Sequence, residues 1–147
     1  MKEVEVSTTT DASKHEVLEE LSPENIIEFA ETFDVDSVED IGSAIHVTVV
    51  GGEIVMTLEF EEIDNGYHYQ QVNSDGPFKK MRSEIIVEED DTTEITAKSE
   101  FTFGGPIAFI TDRWGVDLRE EELERLVHNL ASAAESKHSE EGQLADM

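Results

Sequence analysis

The stretch GGPIAFITDRWGVDLREEELERLVHNLASAAESK, residues 104–137, decides the fold of this chain. Two glycines and Pro106 end a strand-like run, and proline suits the first position of a helix, where an N–H would have no partner. Apolar residues then recur at helical spacing, while the opposite side carries mostly charged residues. In the second half, the apolar stripe comprises Leu123, Leu126, Val127, Leu130, Ala131 and Ala134. The stretch therefore predicts a long amphipathic helix that must cover an apolar surface.

The apolar stripe changes its position along this helix. A first stripe is formed by Ile107, Ile110 and Trp114. If the same helical spacing continued, the next positions on this face would be charged residues, whereas the later leucines lie about one or two positions away from it. Gly115 lies at the displacement, and Asp117 follows it as a second N-cap candidate. We therefore expect the helix to be kinked, with a break or bulge near Gly115.

The preceding segments mostly alternate between apolar and polar residues, as half-buried strands do. This alternation predicts seven strands, at 2–10, 35–41, 43–50, 53–63, 67–73, 78–87 and 93–103. Ser13 with Glu16, and Ser22 with Pro23, predict the starts of two short helices after the first strand. We therefore predict an α+β fold in which the terminal helix lies across an antiparallel sheet.

The composition limits the size and the environment of the protein. A chain of 147 residues with 37% hydrophobic residues suits one domain, which we place at 1–137, followed by a disordered tail at 138–147. The absence of cysteine excludes disulfides and thiolate chemistry. The sequence has neither a signal-like start nor a run of about 20 apolar residues that could span a membrane, so we expect a cytoplasmic protein.

The charge is strongly acidic. Asp and Glu number 36 against 10 Lys and Arg, for a formal net charge of −26. Such a chain repels phosphate backbones, so we expect no nucleic-acid partner. Apolar periodicity argues against an acidic disordered protein, and no calcium-binding loop pattern is present. The interpretation we favour is a halophile's protein, from a haloarchaeon, whose surface carboxylates hold water and cations in strong salt.

Two segments resemble a known superfamily. They are VEVSTTTDASKHEVLEELSPENIIEFAE, at 4–31, and the closing FTFGGPIAFI with LERLVHNLASAAE, at 101–110 and 123–135. Together with the order of elements, they resemble the START-like, or SRPBCC, superfamily over residues 2–137. That superfamily has the helix-grip fold and includes lipid-transfer proteins, polyketide cyclases and aromatases. The segment 35–40 departs from its commonest pattern, because it lacks the usual aromatic residue.

The resemblance implies an apolar cavity between the curved sheet and the terminal helix. Most inward residues would be ordinary core, but Tyr69, Gln71, Ser83 and Ser99 would each need a polar partner, which water or a ligand could supply. Trp114 would anchor the helix to the sheet or form a wall for the ligand. The predicted ligand-binding residues are Met56, Tyr67, Tyr69, Gln71, Met81, Ser83, Ser99, Phe101, Ile110 and Trp114.

Catalytic and metal sites have little support in the sequence. The five histidines fall on predicted polar faces or in the tail, and no two have metal-ligand spacing on a shared inward face. We therefore predict no metal and no cofactor. Asp112 and Arg113 are candidates for a buried charge, with a solvent-facing pair as the alternative.

Three functions of different classes remain open. We favour a module that binds a hydrophobic small molecule, such as a lipid, polyketide or aromatic compound, because no nucleophile–base pair is present. The first alternative is an enzyme of the polyketide cyclase or dehydratase type that uses Tyr69, Ser83 or Asp112 to orient or protonate its substrate. The second is a protein-interaction module with a vestigial cavity. We expect a monomer or a weak dimer.

Overall fold

The computed structural model describes residues 2–51, 54–72, 78–103 and 108–145; at residues 54, 78, 79, 103, 108–115 and 138–145 it describes the backbone alone. The elements follow one another in the predicted order. They are β1 (Lys2–Thr10), α1 (Lys14–Glu20), α2 (Pro23–Ala30), β2 (Asp34–Asp40), β3 (Ile45–Gly51), β4 (Ile54–Ile63), β5 (Gly66–Gln71), β6 (Phe78–Glu89), β7 (Thr93–Phe103) and α3 (Ala108–Ala145).

The strands form one antiparallel sheet. Its spatial order is β1-β7-β6-β5-β4-β3-β2, so the first strand pairs with the last and the other neighbours are sequential. The long helix α3 contacts β1, β7, α1 and α2. The predicted α+β architecture, with a terminal helix across a seven-stranded antiparallel sheet, is confirmed.

Both predicted helix caps are present. The Glu16 N–H donates to Ser13 Oγ at 3.1 Å, and the Ser13 N–H donates to Glu16 Oε1 at 2.9 Å, which completes a capping box at the start of α1. The Asn25 N–H donates to Ser22 Oγ at 3.1 Å, and Pro23 begins α2. These bonds are local, since each cap joins residues three positions apart in the sequence.

The core lies between the helices and one face of the sheet. The predicted stripe of α3 is buried from Leu123 to Ala134, and alternate residues of β3 to β7 are buried opposite it. Full burial of a leucine or phenylalanine side chain contributes about 1.5–3 kcal/mol. The largest of these buried side chains are Phe60, Phe101, Ile26, Met56, Leu58, Ile85, Ile95, Leu123, Leu126 and Leu130.

The helix α3 differs from its prediction at two points. The backbone remains α-helical through Gly115, where we expected a break or bulge, because one glycine costs a helix only about 1 kcal/mol. The helix also continues to Ala145, through most of the predicted tail, a segment rich in good helix formers. The predicted helix start at Pro106 lies outside the described residues. The division into a domain at 1–137 and a tail stays a prediction.

The edge strand β2 is mostly exposed, and its pairing with β3 shifts between Val35 and Ser37. Its carboxylates at Asp34, Asp36 and Asp40 discourage pairing with another chain. Among the described helices, none is long and apolar enough to cross a membrane.

Candidate functional site

The candidate site is centred on Arg119, an arginine of α3 that points into the protein. It is only 5% exposed, and its side chain lies between the helix and the inner face of the sheet. Among the residues whose side chains are described, Arg119 is the only buried lysine or arginine. An arginine in such a position is charged and has to satisfy its donors locally, because water does not reach it.

Three hydroxyl groups of the sheet face this guanidinium. Arg119 Nη2 donates to Ser83 Oγ at 2.9 Å, and Nε donates to Ser99 Oγ at 3.2 Å. Tyr69 OH lies further away, at 3.4 Å from Nη2. Ser83 Oγ is also 2.8 Å from Ser99 Oγ, so the two serines are bonded to each other as well as to the arginine.

The sheet register places these hydroxyls in one row. Tyr69 of β5 is directly opposite Ser83 of β6, and Ser83 is directly opposite Ser99 of β7. Residues paired in this way project from the same face of a sheet with their Cβ atoms about 5 Å apart. Phe60 of β4 continues the row, and its ring stacks on that of Tyr69 with centroids 4.8 Å apart.

The described counter-charge of Arg119 comes from its own helix. Glu122 is three residues further along α3, and its Oε1 accepts a hydrogen bond from Arg119 Nη1. Burial acts to lower the pKa of Arg119, but the Glu122 carboxylate and the Tyr69 hydroxyl raise it, and the net direction is upward. The guanidinium therefore stays charged in the interior, and Glu122, whose side chain is 13% exposed, lies between it and solvent.

A small cavity adjoins the arginine. The volume that the centre of a water molecule can occupy there is about 20 Å³, which is enough for about one water molecule. This cavity, as its described lining bounds it, is therefore too small for a larger molecule. The cavity is lined by Ile27, Ala30, Thr32 and Phe33 from the α2–β2 region, Met56, Leu58, Tyr69 and Met81 from the sheet, and Arg119 and Glu122 from α3.

The segment that covers this cavity is bound to α3. Arg125 Nε donates to the carbonyl oxygen of Ala30 at 3.0 Å, and its Nη2 donates to Thr32 Oγ1 at 3.2 Å. Asn129 Nδ2 donates to the carbonyl oxygen of Phe29 at 2.8 Å. These bonds satisfy carbonyl groups at the end of α2 that have no partner within the helix.

Most residues predicted for ligand binding do lie on the inner face. Met56, Tyr69, Met81, Ser83, Ser99 and Phe101 are buried, and Tyr67 and Gln71 are half-buried. Met56, Tyr69 and Met81 line the cavity. Ser83 and Ser99 do not line it but accept hydrogen bonds from Arg119, which does. The side chains of Ile110, Asp112, Arg113 and Trp114 lie outside the described residues. A role in ligand binding stays a prediction for all of them.

Sequence reasoning missed Arg119. The three hydroxyls did need a polar partner, but the described partner is this arginine rather than a ligand. The signal was present in the spacing: Arg119 precedes Leu123 by four residues and Leu126 by seven, so it extends the apolar stripe by one turn. A charged residue at an inward position of an amphipathic helix is a candidate functional residue.

The histidines and carboxylates form no metal site in the described part of the chain. His15, His68 and His128 are exposed and His46 is half-buried, while the side chain of His138 is not described. Wider depressions of about 240 and 200 Å³ lie on the outer face of the sheet, where His68 and Arg82 line both. They are open to solvent and contain mostly charged residues.

The fold is similar to that of solved proteins with very different sequences. A protein from Thermus thermophilus is 17% identical with a TM-score of 0.69, and the match covers 92% of this chain and 99% of that one. A START superfamily protein from Mycobacterium smegmatis is 16% identical with a TM-score of 0.67, covering 91% and 97%. The Zhui aromatase/cyclase from Streptomyces sp. R1128 is 14% identical with a TM-score of 0.62, covering 92% of both chains.

These likenesses establish a START-like helix-grip fold for the chain. Comparison of the sequence with protein-family models and with curated proteins gives no match. At such low identity, the fold is shared but a common activity does not follow.

Proposed function

We propose that this protein binds a hydrophobic small molecule between the inner face of the sheet and α3. The observation that carries the proposal is the convergence of Tyr69, Ser83 and Ser99 on the buried Arg119, next to a cavity lined by apolar residues. Ligand sites commonly combine an apolar lining with a few polar groups that converge.

Stability alone gives no reason for this polar cluster. A buried ion pair often stabilises a fold no better than apolar residues of the same volume, because both charges lose their hydration. The surrounding residues Met56, Leu58 and Met81 are apolar, and a matching apolar side chain at position 119 would suit them. A role in recognition explains why charge is present there.

Binding requires the site to open. The described cavity accommodates about one water molecule, so a larger ligand must displace residues that cover it. Residues 31–33, between α2 and β2, are the cover best suited to move, because they belong to no helix or strand and Thr32 is held on α3 by a hydrogen bond from Arg125. The ligand would then select an open conformation that is a minor state without it.

An Ala30→Val substitution tests the location of the site. Ala30 is buried and lines the cavity, so two added methyl groups would fill the remaining space. We expect the affinity for N-phenyl-1-naphthylamine, measured by fluorescence titration, to fall about tenfold. Ala133→Val is the matched control, because Ala133 lies on α3 outside the cavity lining.

Equal affinities in the two variants would place binding elsewhere. Failure of the unmodified protein to bind this probe, together with no co-purifying small molecule in native mass spectrometry, would instead favour the interaction module with a vestigial cavity.

A cyclase or dehydratase is the second candidate. The Tyr69 hydroxyl lines the cavity, 3.4 Å from Arg119 Nη2, and a positioned phenol is one of the groups that can transfer a proton to a substrate. One similar structure is described as an aromatase/cyclase. Tyr69→Phe should then abolish turnover of a linear polyketide-type substrate while leaving its binding within about twofold; unchanged turnover would remove Tyr69 from the mechanism.

The acidic composition supports a separate proposal about the environment. We propose a halophile's cytoplasm, because strong salt screens the mutual repulsion that accompanies a net charge of −26. The urea midpoint should therefore rise between about 0.1 M and about 2 M KCl. A midpoint that falls over this range would contradict the proposal.

A further inference from the structure

We infer that the ligand of this site is a hydrophobic molecule with one anionic group, such as a carboxylate, which replaces Glu122 at the guanidinium of Arg119. This inference rests on the proposed function and adds the chemical class of the ligand. Its basis is the arrangement of charges around the cavity.

The sheet contributes only neutral hydroxyl groups to the surroundings of the guanidinium. The described counter-charge is supplied by α3. Ser83, Ser99 and Tyr69 are neutral and belong to three different strands. They can orient the planar fork of Arg119, but they do not balance its charge. Glu122 does so from one turn further along the same helix.

Glu122 is placed where it can be exchanged. It is half-buried and lines the cavity, whereas Arg119 lies deeper, and the neighbouring Glu121 is exposed. A change of side-chain rotamer would therefore carry its carboxylate into solvent without moving the helix backbone. The sheet hydroxyls would still hold the guanidinium in its orientation.

The exchange keeps one negative charge beside Arg119. An uncharged ligand packed against the pair would remove the remaining water from the Glu122 carboxylate and offer no polar group in its place. An anionic ligand takes over the bond of Glu122 and lets that carboxylate regain its hydration. The site therefore favours an amphiphilic anion over an uncharged molecule of the same shape.

The net charge adds a diagnostic salt dependence. A chain of net charge −26 repels anions at long range, and this repulsion is screened by salt. The contact with a buried guanidinium is screened much less. Anion binding at Arg119 should therefore be maintained or strengthened as salt rises, whereas binding to exposed lysine or arginine side chains should weaken.

The experiment compares two fluorescent probes with nearly the same aromatic skeleton. They are 1-anilinonaphthalene-8-sulfonate, which is anionic, and N-phenyl-1-naphthylamine, which is uncharged. Each is titrated into the unmodified protein and into three variants, Arg119→Met, Glu122→Gln and Glu121→Gln, at low and high salt. Near-ultraviolet circular dichroism verifies that each variant retains its tertiary packing.

We expect Arg119→Met to weaken binding of the anionic probe by about tenfold or more, and by a clearly larger factor than it weakens binding of the uncharged probe. Glu122→Gln should strengthen binding of the anionic probe severalfold, because it removes the competing carboxylate. Glu121→Gln changes the net charge equally but lies on the exposed side, so it should have little effect.

Two outcomes separate failure of the inference from failure of the proposed function. If the uncharged probe binds but Glu122→Gln does not strengthen the anionic probe relative to Glu121→Gln, the inference is wrong and the proposed function stands. If neither probe binds the unmodified protein, the proposed function fails as well. Should Arg119→Met not fold, the comparison of the two glutamate variants still decides the inference.

Discussion

The two faces of strands β5, β6 and β7 use polar residues differently, although neighbouring residues in the sequence form them. The inner face carries Tyr69, Ser83 and Ser99. Their sequence neighbours His68, Glu84 and Lys98 lie on the outer face. Inside, neutral hydroxyls surround one charge that the helix supplies. Outside, charged groups pair within the sheet.

The outer pairs are exposed and weak. His68 Nε2 is 3.3 Å from Glu84 Oε2, and Lys98 Nζ is 3.3 Å from Glu3 Oε1 on the neighbouring strand β1. Water solvates these groups whether or not they pair, so such contacts contribute about 0–1 kcal/mol. Inside, an unpaired polar group costs more, because no water replaces its missing partner. Burial therefore decides how much a polar contact matters in this sheet.

Removal of Arg119 should have the largest effect. Arg119→Ala would leave Glu122 and the sheet hydroxyls without their described partner and open a void, so we expect a loss of about 3–5 kcal/mol in the free energy of unfolding. Urea denaturation measures it. Lys98→Ala, on the outer face, should cost less than about 1 kcal/mol. Equal losses would contradict the distinction between the two faces.

A single hydroxyl should give an intermediate effect. Ser83 is buried and bonded to both Arg119 and Ser99, so Ser83→Ala should lower the free energy of unfolding by about 1–3 kcal/mol. Ser7→Ala is the matched control, because Ser7 is exposed on β1, and its effect should stay within about 0.5 kcal/mol. A small loss at Ser83 would mean that water takes over its bonds inside the protein.

The smallest effect should come from a titration on the outer face. Hydrogen bonds from His46 and Gln70 lower the pKa of Glu59. Because this pKa is lower in the folded state, the stabilisation is present above the unfolded-state value of about 4.3 and is lost as pH falls through the folded-state value. Glu59→Gln should therefore flatten the acid side of a plot of urea midpoint against pH.

Salt provides the control for that measurement. Glu59 is half-buried on the solvent-facing side of the sheet, and solvent reaches its carboxylate, so about 1 M NaCl should reduce the difference between Glu59→Gln and the unmodified protein. A difference that persists in salt would show that the outer face is less solvated than its exposure indicates.

The sequence predicted which side of each strand is buried better than it predicted which residues form the candidate site. Alternation placed Tyr69, Ser83 and Ser99 inward because side chains of a strand alternate with a period of two. It left their partner unknown, since the partner lies 20 or more residues further along the chain on α3. Sequence reasoning chose Asp112 and Arg113, in the first half of the terminal helix, as candidates for a buried charge, and it did not choose Arg119, the buried basic residue among the described side chains.

The sequence by itself determined the elements of this protein, their order and the side of each that would be buried. Those properties depend on local spacing and capping, as at Ser13 and Ser22. Only the tertiary structure decided that three hydroxyls from separate strands align in one row and that Arg119 reaches them. That meeting depends on strand register and on how α3 lies across the sheet, which are set by contacts between residues far apart in the chain.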